Sequence, residues 1–139
     1  MTPMPQTFCW TERYSVNIAV LDRQHQAFID TINELKNALT SGQGSGVVAE
    51  VLKKLSDYAL NHFAAEELLM TEHAFPGLET HRAEHKRFAR SVERFLEDYK
   101  AGKTGVPVAL MFFLQSWLQE HLLKTDKAYS AYLNARGVR

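Results

Sequence analysis

Five histidines and two carboxylates lie within the apolar helical stripes of this chain: His25, His62, Glu66, His81, His85, His121 and Asp126. A single histidine on such a stripe is usually a hydrogen-bonded core residue. Seven such groups in one small core are costly to bury unless each is satisfied, and metal ions satisfy most of them at once. The pattern therefore predicts a metal site inside the fold.

The spacing of these residues suits chelation from helices. His62 and Glu66 are four residues apart, as are His81 and His85, so each pair lies on one helix face about one turn apart. His121 and Asp126 are five residues apart, which corresponds to about 140° around an ideal helix. We therefore expect the helix either to be distorted between them or to end there.

The ligand types restrict the choice of metal. Imidazole and carboxylate without thiolate suit iron, and also manganese or zinc. The number of ligands favours two octahedral ions that share both carboxylates and one solvent-derived oxo or hydroxo bridge. That arrangement leaves one position open, on the ion with fewer histidines, where a small exogenous molecule could bind.

Apolar residues that recur at spacings of three and four predict an all-α fold. The predicted helices cover residues 21–39, 48–70, 78–99 and 107–122, after an N-terminal arm at 1–20 and before a short C-terminal helix at 127–135. Asp22 is the predicted N-cap of the first helix, the glycine-rich segment 41–46 separates the first two, and Pro107 opens the fourth.

Short connections between these helices predict an up-down-up-down antiparallel four-helix bundle. In that topology His25, His62, His81 and His121 all fall at the same end of the bundle. The rise of about 1.5 Å per residue brings the four helices' polar residues to overlapping levels. We therefore expect the ligands to converge in space.

Composition defines the remaining expectations. The 139 residues suit one domain, 1–139, with the bundle and tail at 21–135. Sixteen basic and sixteen acidic residues cancel, so no nucleic-acid partner or anionic membrane is indicated. The lone Cys9 is expected to be a free, inert thiol. With no secretory signal or membrane span, we expect a cytoplasmic protein.

The chain resembles the hemerythrin family, specifically its single-domain bacterial members. The resemblance covers nearly the whole chain, from Trp10-Thr-Glu-Arg-Tyr-Ser-Val-Asn-Ile through Gln24-His25, His62-Phe-Ala-Ala-Glu66, His81-Arg-Ala-Glu-His85 and His121-Leu-Leu-Lys-Thr-Asp126-Lys127. It implies reversible dioxygen binding at a non-haem di-iron centre with two iron ions. By this resemblance His81, His85 and His121 hold one iron, His25 and His62 hold the other, and Glu66 and Asp126 bridge them.

The resemblance also implies apolar groups around the open iron position. The matching residues are Phe28, Phe63, Trp117, Leu118 and Leu122, and ordinary core packing would equally explain each of them. Cys9 and His73 match no ligand position, and His73 is expected to be a surface or C-capping residue at the end of the second helix.

The implied role is oxygen storage, delivery or sensing, and not catalysis. The alternative is a di-iron enzyme, namely a peroxidase, an oxidase or a nitric oxide reductase. Ferritin-like di-iron oxygenases use Glu-x-x-His pairs, four carboxylates and a long crossover connection, none of which this sequence predicts. The expected partners are dioxygen and, for delivery or sensing, an oxygen-consuming enzyme or a signalling partner.

Overall fold

A computed structural model describes residues 8–139, which are helical without any strand. A short 3₁₀ turn, Glu12–Tyr14, precedes the bundle helices α1 (Ala19–Thr40), α2 (Gly44–Glu72), α3 (Leu78–Lys100) and α4 (Val106–Trp117). A π-helical segment, Leu118–Thr125, continues α4 directly into α5 (Asp126–Asn134).

The helices pack in the predicted order. α1 contacts α2, α2 contacts α3, α3 contacts α4, and α4 returns to contact α1. The predicted all-α four-helix bundle is therefore confirmed. Within residues 8–139 no helix combines the length and apolar character needed to cross a bilayer.

Two helix starts differ from the predictions. α1 begins at Ala19 with Ile18 as its N-cap, so the prediction of Asp22 as the cap was wrong. The Asp22 carboxylate instead accepts hydrogen bonds from the Val16 backbone N–H at 2.8 Å and the Ser15 hydroxyl at 2.6 Å. From the first turn of α1 it thereby holds the preceding arm against the helix.

The predicted break at residues 41–46 was too long, because α2 already begins at Gly44. A Cβ added at Gly44 would lie 2.7 Å from the Leu39 side chain, so glycine lets the start of α2 approach the end of α1. The low helix propensity of glycine matters little in the first turn of a helix, where packing against neighbouring residues determines which residue fits. Pro107 lies in the first turn of α4, as predicted.

A layer of buried polar side chains separates two hydrophobic clusters. On α1, His25 lies between Leu21 of one cluster and Phe28 of the other. Asp126 similarly lies between Leu122 and Tyr129, which belong to the two clusters. The bundle therefore has an apolar core on each side of its polar layer.

The C-terminal helix α5 begins at Asp126, one residue before its predicted start, and it binds the N-terminal arm. Ser130 donates a hydrogen bond to the Val16 carbonyl at 2.8 Å, and the Lys127 ammonium donates to the Ser15 carbonyl. Backbone carbonyls of the segment before α1 therefore accept hydrogen bonds from α5. The same segment is also attached to α1 through Asp22.

Ala74, in the turn between α2 and α3, has a φ of 53°, a left-handed conformation that costs a residue with a Cβ about 1–2 kcal/mol. We expect Ala74→Gly to raise the free energy of unfolding by about 0.5–1 kcal/mol, because glycine adopts this conformation without that cost. Urea unfolding of the variant measures the change.

The matched control is Ala49→Gly, at an exposed position inside α2. It should lower the free energy of unfolding by about 1 kcal/mol, since glycine is a poor helix former. Equal destabilisation by both substitutions would show that the Ala74 backbone is not strained.

Candidate metal centre

The seven predicted ligand side chains come together in the polar layer. Each is between 0% and 3% exposed to solvent. His25 comes from α1, His62 and Glu66 from α2, and His81 and His85 from α3. His121 lies in the π-helical segment and Asp126 at the first residue of α5.

The side chains form two groups able to hold a cation. One consists of His81, His85, His121 and Glu66, and the other of His25, His62, Glu66 and Asp126, each with its ligand atoms within 4.8 Å of one another. We call them the three-histidine group and the two-histidine group. They share Glu66, so one carboxylate lies within reach of both.

Asp126 also connects the two groups. Its Oδ1 lies 2.9 Å from Nε2 of His81 and 2.9 Å from Nε2 of His121, and its Oδ2 lies 3.2 Å from Nε2 of His25. Each oxygen of this carboxylate therefore faces a different group, which is the arrangement that a bridging ligand requires.

The oxygens of Glu66 are divided differently. Oε1 lies 3.1 Å from Nε2 of His62 and 3.3 Å from Nε2 of His85, whereas Oε2 lies 3.8 Å from Nε2 of His25. Tyr129 donates its hydroxyl hydrogen to Oε2. One oxygen of Glu66 thus lies between both groups, and the other is oriented by a buried phenol.

The close nitrogen–oxygen approaches do not form hydrogen bonds. Among residues 8–139, Nε2 of all five histidines, Oε1 of Glu66 and both Asp126 oxygens are buried without a hydrogen-bond partner. Two atoms bound at about 2.1 Å and at right angles to one ion lie about 3.0 Å apart, close to several of the distances observed here. The donor set therefore fits metal ions, which would satisfy these atoms together.

The π-helical segment explains how residues five apart in sequence face the same layer. An α-helix would turn Asp126 away from His121, whereas a π-helix has a wider turn and aligns residues five apart. Leu118–Thr125 is π-helical and contains His121, with Asp126 immediately after it. The predicted distortion is therefore confirmed.

Outer side chains orient two of the imidazoles through their Nδ1 atoms. His62 donates to the Gln24 side-chain oxygen at 2.5 Å, and His85 donates to the Glu67 carboxylate at 2.8 Å. Arg82 in turn donates to Glu67 at 3.0 Å. Such contacts leave each Nε2 directed at the layer and make the imidazole a stronger ligand.

Aromatic rings cover the imidazoles from the larger hydrophobic cluster. Phe63 stacks on His85 with ring centroids 3.8 Å apart, and Trp117 stacks on His121 at 3.9 Å. Both predicted lining residues therefore lie against the three-histidine group. The ring stacked on His62, in the two-histidine group, is Tyr58 at 4.6 Å.

The other predicted lining residues are core residues. Phe28, Leu118 and Leu122 are each at most 1% exposed and belong to the larger cluster. Their burial in this cluster shows the core-packing role, and their lining of the open position stays a prediction.

Burial and the nearby Asp126 charge oppose ionisation of Glu66, but His62 and His85 lower its pKa well below the ordinary range. Burial also opposes ionisation of Asp126, whose pKa is nevertheless lowered by His121, His25 and His81. Both groups are therefore carboxylates, the form that binds metal ions.

The pKa values of the imidazoles shift in opposite directions. Burial opposes protonation of His25 and His85, but Asp126 raises the pKa of His25 and Glu66 raises the pKa of His85. Burial lowers the pKa of His62. Without metal, protons therefore provide part of the charge compensation for the carboxylates.

Comparison with known proteins identifies the family. The family model of the hemerythrin HHE cation binding domain matches residues 16–133. The chain belongs to the hemerythrin family. This membership confirms the resemblance seen in the sequence, and the matched region contains all seven side chains of the polar layer.

Individual relatives support the same family. The bacteriohemerythrin of Stenotrophomonas maltophilia is 33% identical over 91% of this chain and 81% of its own length. That of Methylococcus capsulatus is 29% identical over 91% and 96% of the two chains. The crystal structure of a wild-type hemerythrin superposes with a TM-score of 0.81 at 28% identity, over 92% of this chain and 98% of that one.

Sequence reasoning missed four contributors to the layer's surroundings: Gln24, Tyr58, Glu67 and Tyr129. Tyr129 follows Asp126 by three residues on one helix face, a spacing that could have indicated their shared environment. Tyr58 lies on the apolar stripe of the predicted helix at 48–70, where its ring fits ordinary core packing. Spacing offers no comparable signal for Gln24 or Glu67, each of which immediately neighbours a ligand residue in sequence.

Neither remaining candidate joins the layer. His73 is the C-cap residue of α2 and donates from Nδ1 to the Leu69 carbonyl at 3.0 Å, which confirms its predicted capping role. Cys9 is an exposed free thiol.

The metal-free protein should lose stability as the pH rises. A histidine whose pKa is raised by folding stabilises the fold below about pH 6.5, and this contribution is lost as the pH rises through the folded-state pKa. His25 and His85 behave in this way, whereas His62 has the opposite effect. We expect the free energy of unfolding, measured with urea in the presence of a chelator, to fall as the pH rises above about 6.5.

Glu66 and Asp126 determine how the stability of the metal-free protein changes at acid pH. Their folded-state pKa values are lowered, so their contribution to stability is present above about pH 4 and is lost below it.

His85→Gln should reduce the fall in the free energy of unfolding at alkaline pH. The control His73→Gln, outside the layer, should keep that fall. A metal-free parent protein whose free energy of unfolding rises as the pH increases above about 6.5 would contradict this account.

Proposed function

We propose that this protein binds dioxygen reversibly at a non-haem di-iron centre, for oxygen storage, delivery or sensing. The observation that carries the proposal is the set of buried, unpaired nitrogen and oxygen atoms that converge in two groups. Membership of the hemerythrin family supports iron as the metal and dioxygen as the ligand.

In this proposal His81, His85 and His121 hold one iron, and His25 and His62 hold the other. Glu66 and Asp126 bridge them, together with an oxo or hydroxo group. The position of each Asp126 oxygen beside a different histidine group supports its bridging role. When bound, the iron pair would supply the electrons that reversible attachment of dioxygen needs, and His25 and His62 would hold the iron to which dioxygen attaches.

The protein's own residues supply rigidity and exclude water. Gln24 and Glu67 fix the directions of His62 and His85, and Tyr129 fixes one oxygen of Glu66. Phe28, Leu118 and Leu122 fill the adjoining core with almost no exposure. A dry, rigid cavity limits loss of the bound ligand by reaction with water and protons.

The ligand balance favours a binding protein over a di-iron oxidase, peroxidase or nitric oxide reductase. Five imidazoles and two carboxylates place little negative charge on the metals, whereas carboxylate-rich sites stabilise high-valent iron. The histidine-rich donor set found here supports the more reversible of the two chemistries.

The function is tested by visible absorption during cycles of anaerobic reduction and readmission of air. We expect an absorption band that appears with oxygen and disappears on its removal over repeated cycles, with two irons retained. Rapid conversion to a ferric form that no longer responds to oxygen would instead support an enzyme.

Asp126→Asn keeps the shape of the proposed bridge but removes its charge, so it should lose paired iron and the oxygen-dependent band. Asp98→Asn on α3 is the matched control, because Asp98 pairs with Lys103 far along the helix from the layer. An Asp126→Asn protein with parental iron content and oxygen response would remove Asp126 from the bridging role.

A further inference from the structure

Tyr58 occupies a distinctive position beside the two-histidine group. Its ring stacks on His62 with centroids 4.6 Å apart and planes 17° apart, and on Phe28 at 4.7 Å and 25°. Phe63 and Phe88 contact the same ring from the side at 5.4 and 6.0 Å. Aromatic side chains therefore enclose a phenol that adjoins a candidate ligand.

The Tyr58 hydroxyl is buried and has no hydrogen-bond partner among the described residues 8–139. The same is true of the Trp117 indole nitrogen. A buried hydroxyl without a partner is costly, and native proteins usually pair such groups with protein, water or a ligand. The phenol therefore has an unused donor inside an apolar enclosure.

Burial and nearby charges keep this hydroxyl protonated. Burial raises its pKa well above the ordinary range, and the carboxylates of Glu66 and Asp126 raise it further. The Trp117 indole N–H lowers it, so that group faces the phenol oxygen although the two do not form a well-aligned hydrogen bond. The phenol therefore keeps its proton and can serve as a hydrogen-bond donor.

The second buried tyrosine of the layer provides a contrast. Tyr129 donates its hydroxyl hydrogen to Glu66, so its donor is already used by a proposed metal ligand. Tyr58 makes no such bond to the seven side chains of the layer. Its donor remains available for something that occupies the space next to the layer.

A cleft between α1 and α2 leads to this location. Its volume is about 430 Å³, and Phe28, Tyr58 and His62 form part of its lining. A small molecule in this cleft would meet the Tyr58 ring and His62, which is one member of the two-histidine group. Under the proposed function the open iron position belongs to the two-histidine group, of which His62 is a member.

We propose that the Tyr58 hydroxyl donates a hydrogen bond to the small exogenous ligand bound at the two-histidine group. The ligand class is a diatomic or triatomic molecule whose outer atom carries a lone pair, such as dioxygen or azide. The Trp117 N–H faces the phenol oxygen and helps to orient its hydrogen. This inference rests on the proposed function, because it needs iron at the site.

The test is azide titration of the diferric protein, with Tyr58→Phe compared with the parent. Phenylalanine keeps the ring stacked on His62 and removes only the hydroxyl. We expect azide to bind about three- to tenfold more weakly, as loss of one hydrogen bond predicts. The metal–azide stretching frequency, measured by resonance Raman spectroscopy, should shift in D₂O for the parent and not for Tyr58→Phe.

The matched control is Tyr99→Phe, which removes a phenol hydroxyl near the far end of α3 and should match the parent in both measurements. Equal or tighter azide binding by Tyr58→Phe, or equal weakening by both variants, would overturn the inference. Loss of iron from Tyr58→Phe alone would also overturn it, since the hydroxyl would then serve to retain the metals. A parent that binds neither iron nor azide would instead contradict the proposed function itself.

Discussion

Burying five imidazoles and two carboxylates in one layer of a small bundle is the constraint on which the rest of this structure depends. The layer separates two apolar clusters, so α1, α2, α3 and the continuous helix formed by α4, the π-helical segment and α5 must each supply both core residues and polar groups at the correct height. Without metal, the carboxylates attract protons onto His25 and His85. Metal ions would replace those protons and satisfy the buried Nε2 and carboxylate atoms that lack hydrogen-bond partners.

The π-helical segment is the local consequence of this constraint. It lets His121 and Asp126 face the same layer from one continuous helix, although they are five residues apart. α5 then carries Tyr129 to Glu66 and Ser130 to the arm at Val16. The register of the C-terminal helix therefore connects the candidate metal centre to the segment that precedes α1.

The fold and the convergence of the seven candidate side chains could largely be predicted from the sequence, because apolar spacing indicates which helix face is inward. The five-residue interval before Asp126 also indicated a distortion. Apolar spacing could not decide whether Asp22 is the N-cap of α1 or lies in its first turn, since an acidic residue suits both positions. The start of α2 at Gly44 depends on its contact with Leu39, which is a tertiary effect.

The side chains that hydrogen-bond the candidate ligands were harder to predict from the sequence. Gln24 and Glu67 lie at the edges of helix faces, where a polar side chain that orients an imidazole has the same sequence pattern as one in solvent. Tyr58 shows the converse difficulty. Its apolar ring fits the stripe, but the stripe does not reveal where the hydroxyl lies or that it lacks a partner.

The central claim is that two metal ions satisfy the buried layer, and anaerobic titration of ferrous iron into metal-free protein tests it most directly. The unfolding temperature, followed by circular dichroism, should rise with added iron and stop rising at two equivalents per chain, because metal bound only by the folded state stabilises it. Saturation at one equivalent, or an unfolding temperature that iron does not change, would contradict the account.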